Sequence, residues 1–236
     1  MMKSLIVLLT LLKSGKLLTT GGTMIVSLGA YALAYGWRFA AGFIALLFAH
    51  EMGHFIAARQ RGLNVGAPTF IPFVGAWIEM KDMPHDAETE AYVGFGGPFV
   101  GTLAALFCYF LARVVDSPVL LAIAYVGFFL NLFNLIPISP LDGGRITAVL
   151  TPRIWLAGVP VLLAWFYWRP SPMLIFIVVL ALPQVLKALR YRADSEEAAY
   201  YAVGAEHKLT YSIYYLGLTG FVAMMTFELH NLLGRG

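Results

Sequence analysis

Long apolar runs separated by short polar breaks fill the whole chain. A membrane-crossing helix needs about 20 mostly apolar residues. On that criterion the pattern predicts spans at Leu17–Trp37, Phe39–Ala58, Ala91–Ala112, Pro118–Ile138, Ile154–Trp168, Met173–Leu189 and Thr210–Leu233. The fifth is short and begins near Pro152 and Pro160, so a kinked or tilted helix is expected there. One segment departs from the pattern. Gly66–Met80, G-A-P-T-F-I-P-F-V-G-A-W-I-E-M, has two prolines, two glycines and β-favouring residues. It is too broken for a spanning helix, and extended backbone at membrane depth is tolerated only where protein or a water-filled cavity covers it. A re-entrant β-hairpin or loop is expected, with an ordinary interfacial loop as the alternative. The fold class is therefore an all-α integral membrane protein of six or seven transmembrane helices with a short membrane-associated β-hairpin or re-entrant loop.

Composition agrees with that picture. Of the 236 residues 60% are hydrophobic and 12% charged, and the mean hydropathy is +0.77. A soluble domain carries about 25% charged residues, so a lipid bilayer is the expected surrounding. The net charge of +3 is spread along the chain with no basic block, which argues against a nucleic-acid partner. With seven spans and a cytoplasmic amino terminus, 12 of the 16 lysines and arginines fall on the cytoplasmic side. That orientation predicts a multi-pass protein of the cell membrane. Met1–Leu12 has the charge and apolar stretch of a signal peptide, but Lys13-Ser14-Gly15-Lys16 follows without a small-residue cleavage site, so a retained interfacial segment is expected. Cys108 is the only cysteine, which excludes an intrachain disulfide. The longest polar stretches, Lys81–Glu90 and Arg190–Lys208, are too short for a soluble domain, so one domain is expected over residues 1–236.

The chemistry lies in F-A-H-E-M-G-H-F-I-A, Phe48–Ala57. A charged side chain in the middle of a membrane helix costs roughly 2.5–3.5 kcal/mol, so two histidines and a glutamate there need a compensating interaction. His50 and His54 are four residues apart, on one helix face, where both imidazoles reach one metal ion. Glu51, beside the first, can take a proton from water held by that metal. This H-E-x-x-H spacing is the zinc-hydrolase arrangement, with zinc as Lewis acid and glutamate as general base. The other reading, polar residues packing one helix on another, leaves the glutamate without a task. A catalytic zinc needs a third protein ligand. His85, Asp86, Glu88, Glu90, His207 and His230 sit in polar stretches or at the far end of the last span. Asp142 is the better candidate. It closes N-L-F-N-L-I-P-I-S-P-L-D-G-G-R, Asn131–Arg145, where Pro137 and Pro140 end a helix and Gly143-Gly144 permits a tight turn. Its alternative role is to cap the helix starting near Arg145.

H-E-M-G-H at 50–54 together with N-L-I-P-I-S-P-L-D-G-G at 134–144 resembles the site-2 protease family, the M50 intramembrane zinc metalloproteases. The resemblance covers about Tyr35 to Arg145. It implies one zinc per chain on His50, His54 and Asp142, with Glu51 as catalytic base. It implies that Asn134 holds the substrate backbone or the oxyanion, helix-to-helix hydrogen bonding being the other role open to that amide. It also likens Phe70, Ile71, Pro72, Phe73, Val74 and Gly75 to the family's membrane-inserted β-region, where an unwound substrate adds as a strand. Many members carry an asparagine three residues after the proline of the glycine-proline motif; here Gly101 stands there, so that role is not carried over. Gly97-x-x-x-Gly101 is left as a small-residue packing face. The implied activity is cleavage of a transmembrane protein substrate in or near its membrane segment, by a catalytic core at 17–145 followed by added helices at 146–236. The rival functions are a non-catalytic membrane scaffold or chaperone of the same fold, a prenyl-protein protease type of zinc peptidase, and a metal transporter. The sequence is silent on substrate and oligomeric state.

Overall fold

A computed structural model describes residues 15–73, 75–192 and 196–234; the expected interfacial segment at Met1–Leu12 and the residue Val74 lie outside them. The described chain is mostly helical. It runs α1 (Gly15–Tyr35), α2 (Trp37–Gln60), β1 (Val65–Ile71), β2 (Gly75–Met80), α3 (Ala87–Val115), α4 (Pro118–Asn134), α5 (Asp142–Thr147), α6 (Gly158–Trp168), α7 (Pro172–Arg190) and α8 (Ala205–Leu233). Among the described residues α2, α3 and α8 are long and apolar enough to cross a membrane, and α4 is a shorter apolar helix. Large apolar side chains such as Phe107 and Val114 on α3 and Leu216 and Phe227 on α8 are exposed. Such an outer face suits lipid and would be costly in water.

Two spans differ from expectation. The helix expected at Pro118–Ile138 stops at Asn134, because Pro137 disfavours helical backbone at Ile136 and has no N–H to continue the ladder. Ile154–Trp168 is not one helix. A tight 3-10 turn at Pro152–Ala157 precedes α6, whose 11 residues rise only about 16 Å, roughly half the hydrocarbon thickness.

Local chemistry sets the helix ends. Asp86 caps α3 by accepting from the Thr89 N–H at 2.6 Å, and Glu88 and Glu90 in the first turn complement the helix dipole. Ser117 caps α4 in the same way, with Pro118 in its first turn. Ala105 of α3, Ala124 and Phe128 of α4, and Val222 and Leu229 of α8 form one buried apolar cluster. Tyr31, Ala40, Phe43 and Ile44 form another between α1 and α2.

β1 and β2 pair antiparallel, with Ile71 opposite Gly75 and Pro68 opposite Ile78. Side-chain oxygens of α1 meet β1 and the chain just beyond it. The Thr20 hydroxyl donates to the Pro68 carbonyl at 2.6 Å, the Phe70 N–H donates to Thr23 Oγ1 at 3.2 Å, and the Phe73 N–H donates to the Tyr31 hydroxyl at 3.0 Å. An uncovered strand edge is a liability, and α1 supplies the cover on this side.

α2 and α3 approach backbone to backbone at Gly53 and Gly96. A Cβ on Gly96 would stand 2.6 Å from the Gly53 carbonyl oxygen and 2.8 Å from Ala57 Cβ, and one on Gly53 would strike the Gly96 carbonyl. Gly53→Val should therefore lower the thermal midpoint in detergent, with an overpacking penalty of about 1–3 kcal/mol. Gly21→Ala on α1, where an added Cβ meets nothing within 4 Å, should leave it unchanged or raise it slightly. Melting curves of the two variants beside wild type check the pair.

Candidate metal centre

His50 and His54 lie one turn apart on α2, and both are buried. Asp142 reaches them from the far side of the sequence. After α4 ends, Leu135–Leu141 turns so that α5, which begins at Asp142 itself, lies against Leu135 and Ile138. Gly143 and Gly144 lie against the backbone of Leu135 and of Ile138–Ser139, where any Cβ would collide. The Trp155 indole N–H donates to the Gly144 carbonyl at 2.8 Å, and the Tyr215 hydroxyl of α8 donates to the Leu135 carbonyl at 2.7 Å. These bonds pin the turn that carries Asp142. The capping residue of α5 is Leu141, which makes no side-chain cap bond. The Asp142 carboxylate faces the imidazoles instead: Oδ2 is 3.1 Å from His50 Nε2 and Oδ1 is 3.2 Å from His54 Nε2.

The two Nε2 atoms are 3.2 Å apart. His54 Nδ1 lies 2.8 Å from the Val93 carbonyl oxygen, which can only accept, so Nδ1 carries the proton and Nε2 presents a lone pair. His50 Nδ1 lies 2.9 Å from Asn131 Oδ1 and donates there by the same logic. In the neutral rings two imidazole lone pairs and a carboxylate thus converge on one point. Tetrahedral ligands about 2.0–2.2 Å from a cation stand roughly 3.3 Å from one another. The donor set and its spacing fit a small tetrahedral cation. Among the described residues this is the one group of three or more His, Cys, Asp or Glu side chains arranged to hold a metal ion.

Glu51 is buried and lines a cavity of about 240 Å³ with His50, His54, Asp142, Asn134 and Arg145. Several waters fit there, at about 30 Å³ each. The hairpin contributes to its wall through Val65, Ala76 and Ile78. The expected substrate segment stands apart from that wall. Phe70 is buried, and its ring stacks on Phe48; Phe73 packs its ring on Tyr31; Ile71 and Phe73 are exposed; Pro72 and Gly75 are half-buried; Val74 is not among the described residues. The turn is drawn toward α1 by the bond to Tyr31, which leaves the strands rather than the turn beside the cavity.

The other polar candidates have different tasks. Asp86 is a helix cap, and Glu88 pairs with Arg61 and with His207. Glu90 lies 3.9 Å from Arg145 Nε and accepts from the Tyr200 hydroxyl at 2.7 Å. Burial, then the Glu90 charge, pushes the Tyr200 phenol well above its usual range, so it stays a donor.

Sequence reasoning passed over Asn131, the Val93 carbonyl and Gly97. Asn131 had a visible signal, as an amide in an otherwise apolar helix. Gly97 looked like generic packing, but a Cβ there would strike His54 Nε2. The Val93 carbonyl had no sequence signal, since every residue has one.

Residues 38–118, which include both histidines and Glu51, match the model of peptidase family M50. Curated relatives named as zinc metalloproteases are similar over about half of the chain or less. Rip3 of Mycobacterium tuberculosis is 31% identical over 132 residues, covering 51% of this chain and 33% of its own. MJ0392 of Methanocaldococcus jannaschii is 29% identical over 102 residues, covering 41% and 29%. EGY1 of Arabidopsis thaliana is 24% identical over 164 residues, covering 49% and 29%. The chain spans about a third of the length of these relatives. The two histidines and the glutamate all lie inside the stretch that is similar to peptidase family M50.

Proposed function

We propose that this chain is an intramembrane zinc endopeptidase that hydrolyses a peptide bond in or near the transmembrane segment of a membrane-anchored protein. The observation that carries the reading is the meeting of His50, His54 and Asp142 beside Glu51 in a cavity set among apolar helices. His50 Nε2, His54 Nε2 and one Asp142 oxygen would hold the metal. Zinc, when bound, supplies a Lewis acid that polarises the scissile carbonyl and acidifies water. The zinc-metalloprotease names of the relatives support that choice of ion.

Glu51 takes the proton of the attacking water and returns it to the leaving amine. Its position next to His50 keeps that transfer within the cavity. Asn134, also on the cavity wall, offers an amide to the substrate backbone or to the developing oxyanion. A helical substrate hides its carbonyls, so it must unwind, and Ala76 and Ile78 of β2 give the extended segment a wall to lie along. In this reading the hairpin is re-entrant at membrane depth. Six helices (α1 to α4, α7 and α8) rise about 25 Å or more. The turn at Pro152–Ala157 with α6 adds a shorter seventh crossing. The lysine and arginine bias then sets the cavity toward the cytoplasm.

Metal analysis of the purified chain tests the centre: close to one zinc per wild-type chain and near none in Asp142→Ala. Glu51→Gln should keep its zinc and lose on the order of 10²–10⁴ in cleavage of a co-reconstituted transmembrane substrate; full activity in that variant would refute the base. Gly97→Ala pushes on the His54 ring and should weaken zinc on the order of 10–100-fold by chelator competition, the range typical of a disturbed ligand orientation.

A further inference from the structure

α4 carries its buried residues in one stripe: Ile123, Ala124, Gly127, Phe128 and Asn131. Asn131 is the polar member, and only 3% of it is exposed. A buried amide in an apolar stripe costs free energy unless it is hydrogen-bonded. Its oxygen meets His50 Nδ1 at 2.9 Å. The other face of the amide lies against the bare Cα of Gly101 on α3, where a Cβ would stand 2.7 Å from Asn131 Oδ1 and 2.9 Å from Nδ2. α3 thus leaves a seat for this side chain, and α4 fills it.

We propose that Asn131 is the positioning residue of the metal centre: it fixes the tautomer and ring orientation of His50 from behind, and Gly101 keeps the space that lets it do so. The inference rests on the reading of His50, His54 and Asp142 as a metal site. A histidine can ligate through Nε2 only if its proton sits on Nδ1, and an acceptor at Nδ1 secures that. His54 has the Val93 carbonyl for this purpose. His50 faces an amide oxygen from another helix instead. Charge accounts for an amide rather than a carboxylate. Asp142 and Glu51 together already offset a divalent cation, so a neutral acceptor leaves the buried site without excess charge. Three residues further along the same helix Asn134 faces the cavity. The last turn of α4 therefore presents one amide behind the ligand and one before the substrate space.

The test measures metal binding, independently of proteolysis, on the full chain in detergent or nanodiscs. Zinc affinity is read by chelator competition, and ligand geometry by the visible spectrum of the cobalt(II)-substituted protein. Asn131→Leu keeps size and removes the acceptor; zinc affinity should fall on the order of 10–100-fold and the cobalt bands should shift. Asn131→Asp restores an acceptor and should hold zinc at least as tightly as wild type, with the cobalt bands returned toward the wild-type spectrum. Gly101→Ala leaves Asn131 in the sequence but crowds its amide, and should weaken zinc in the same direction as Asn131→Leu. This variant carries the test if Asn131→Leu does not fold. Wild-type affinity and spectrum in Asn131→Leu or Gly101→Ala, or a loss in folded Asn131→Asp as large as in Asn131→Leu, would overturn the assignment while the metal site stands. A wild-type chain that holds no metal would remove the site and this inference together.

Discussion

Lone pairs brought together inside an apolar bundle repel one another and have lost their water. Two imidazole nitrogens and a carboxylate within 3.2 Å form such a cluster, and a cation is what turns it from a cost into an attraction. Much of the surrounding architecture serves to hold that cluster in place. The backbone contact at Gly53 and Gly96 brings α3 close enough for the Val93 carbonyl to reach His54. The turn after α4 brings a carboxylate 92 residues away in sequence to His50.

Placement within the bundle also sets what the site can do. The cavity has room for several waters, while the outer faces of α3 and α8 are apolar. The proposed hydrolysis in a lipid environment would require both conditions, a pocket with room for water and a dry exterior. The hairpin lies between them. Its first strand, β1, is hydrogen-bonded by α1, and residues of both strands help to wall the pocket.

Periodicity made the main helices legible, because a buried or lipid-facing helix must be apolar over its length. The spacing of His50, Glu51 and His54 is equally local, since four residues make about one turn. Asp142 was legible through the prolines and glycines that force a turn around it. What escaped depends on how elements meet. The acceptor for His50 could not be chosen between Asn131 and Asn134 from sequence, because their different facings follow from the approach of α4 to α3. The turn at Phe70–Gly75 and the strands beside it look alike in composition, and only the bond to Tyr31 separates their surroundings. The segment at Ile154–Trp168 is apolar enough for one helix, but its first residues fall in the tight turn opened by Pro152, which holds Trp155 against the Gly144 carbonyl.

The two bonds that pin the Asp142 turn come from Trp155 and from Tyr215, both beyond the stretch that resembles the protease core. A fragment ended at Arg145 would keep every proposed ligand yet lose both clasps, leaving the Leu135 and Gly144 carbonyls without those donors. Trp155 and the last helix, α8, are in that respect a buttress for the turn that carries Asp142 rather than an appendage to it.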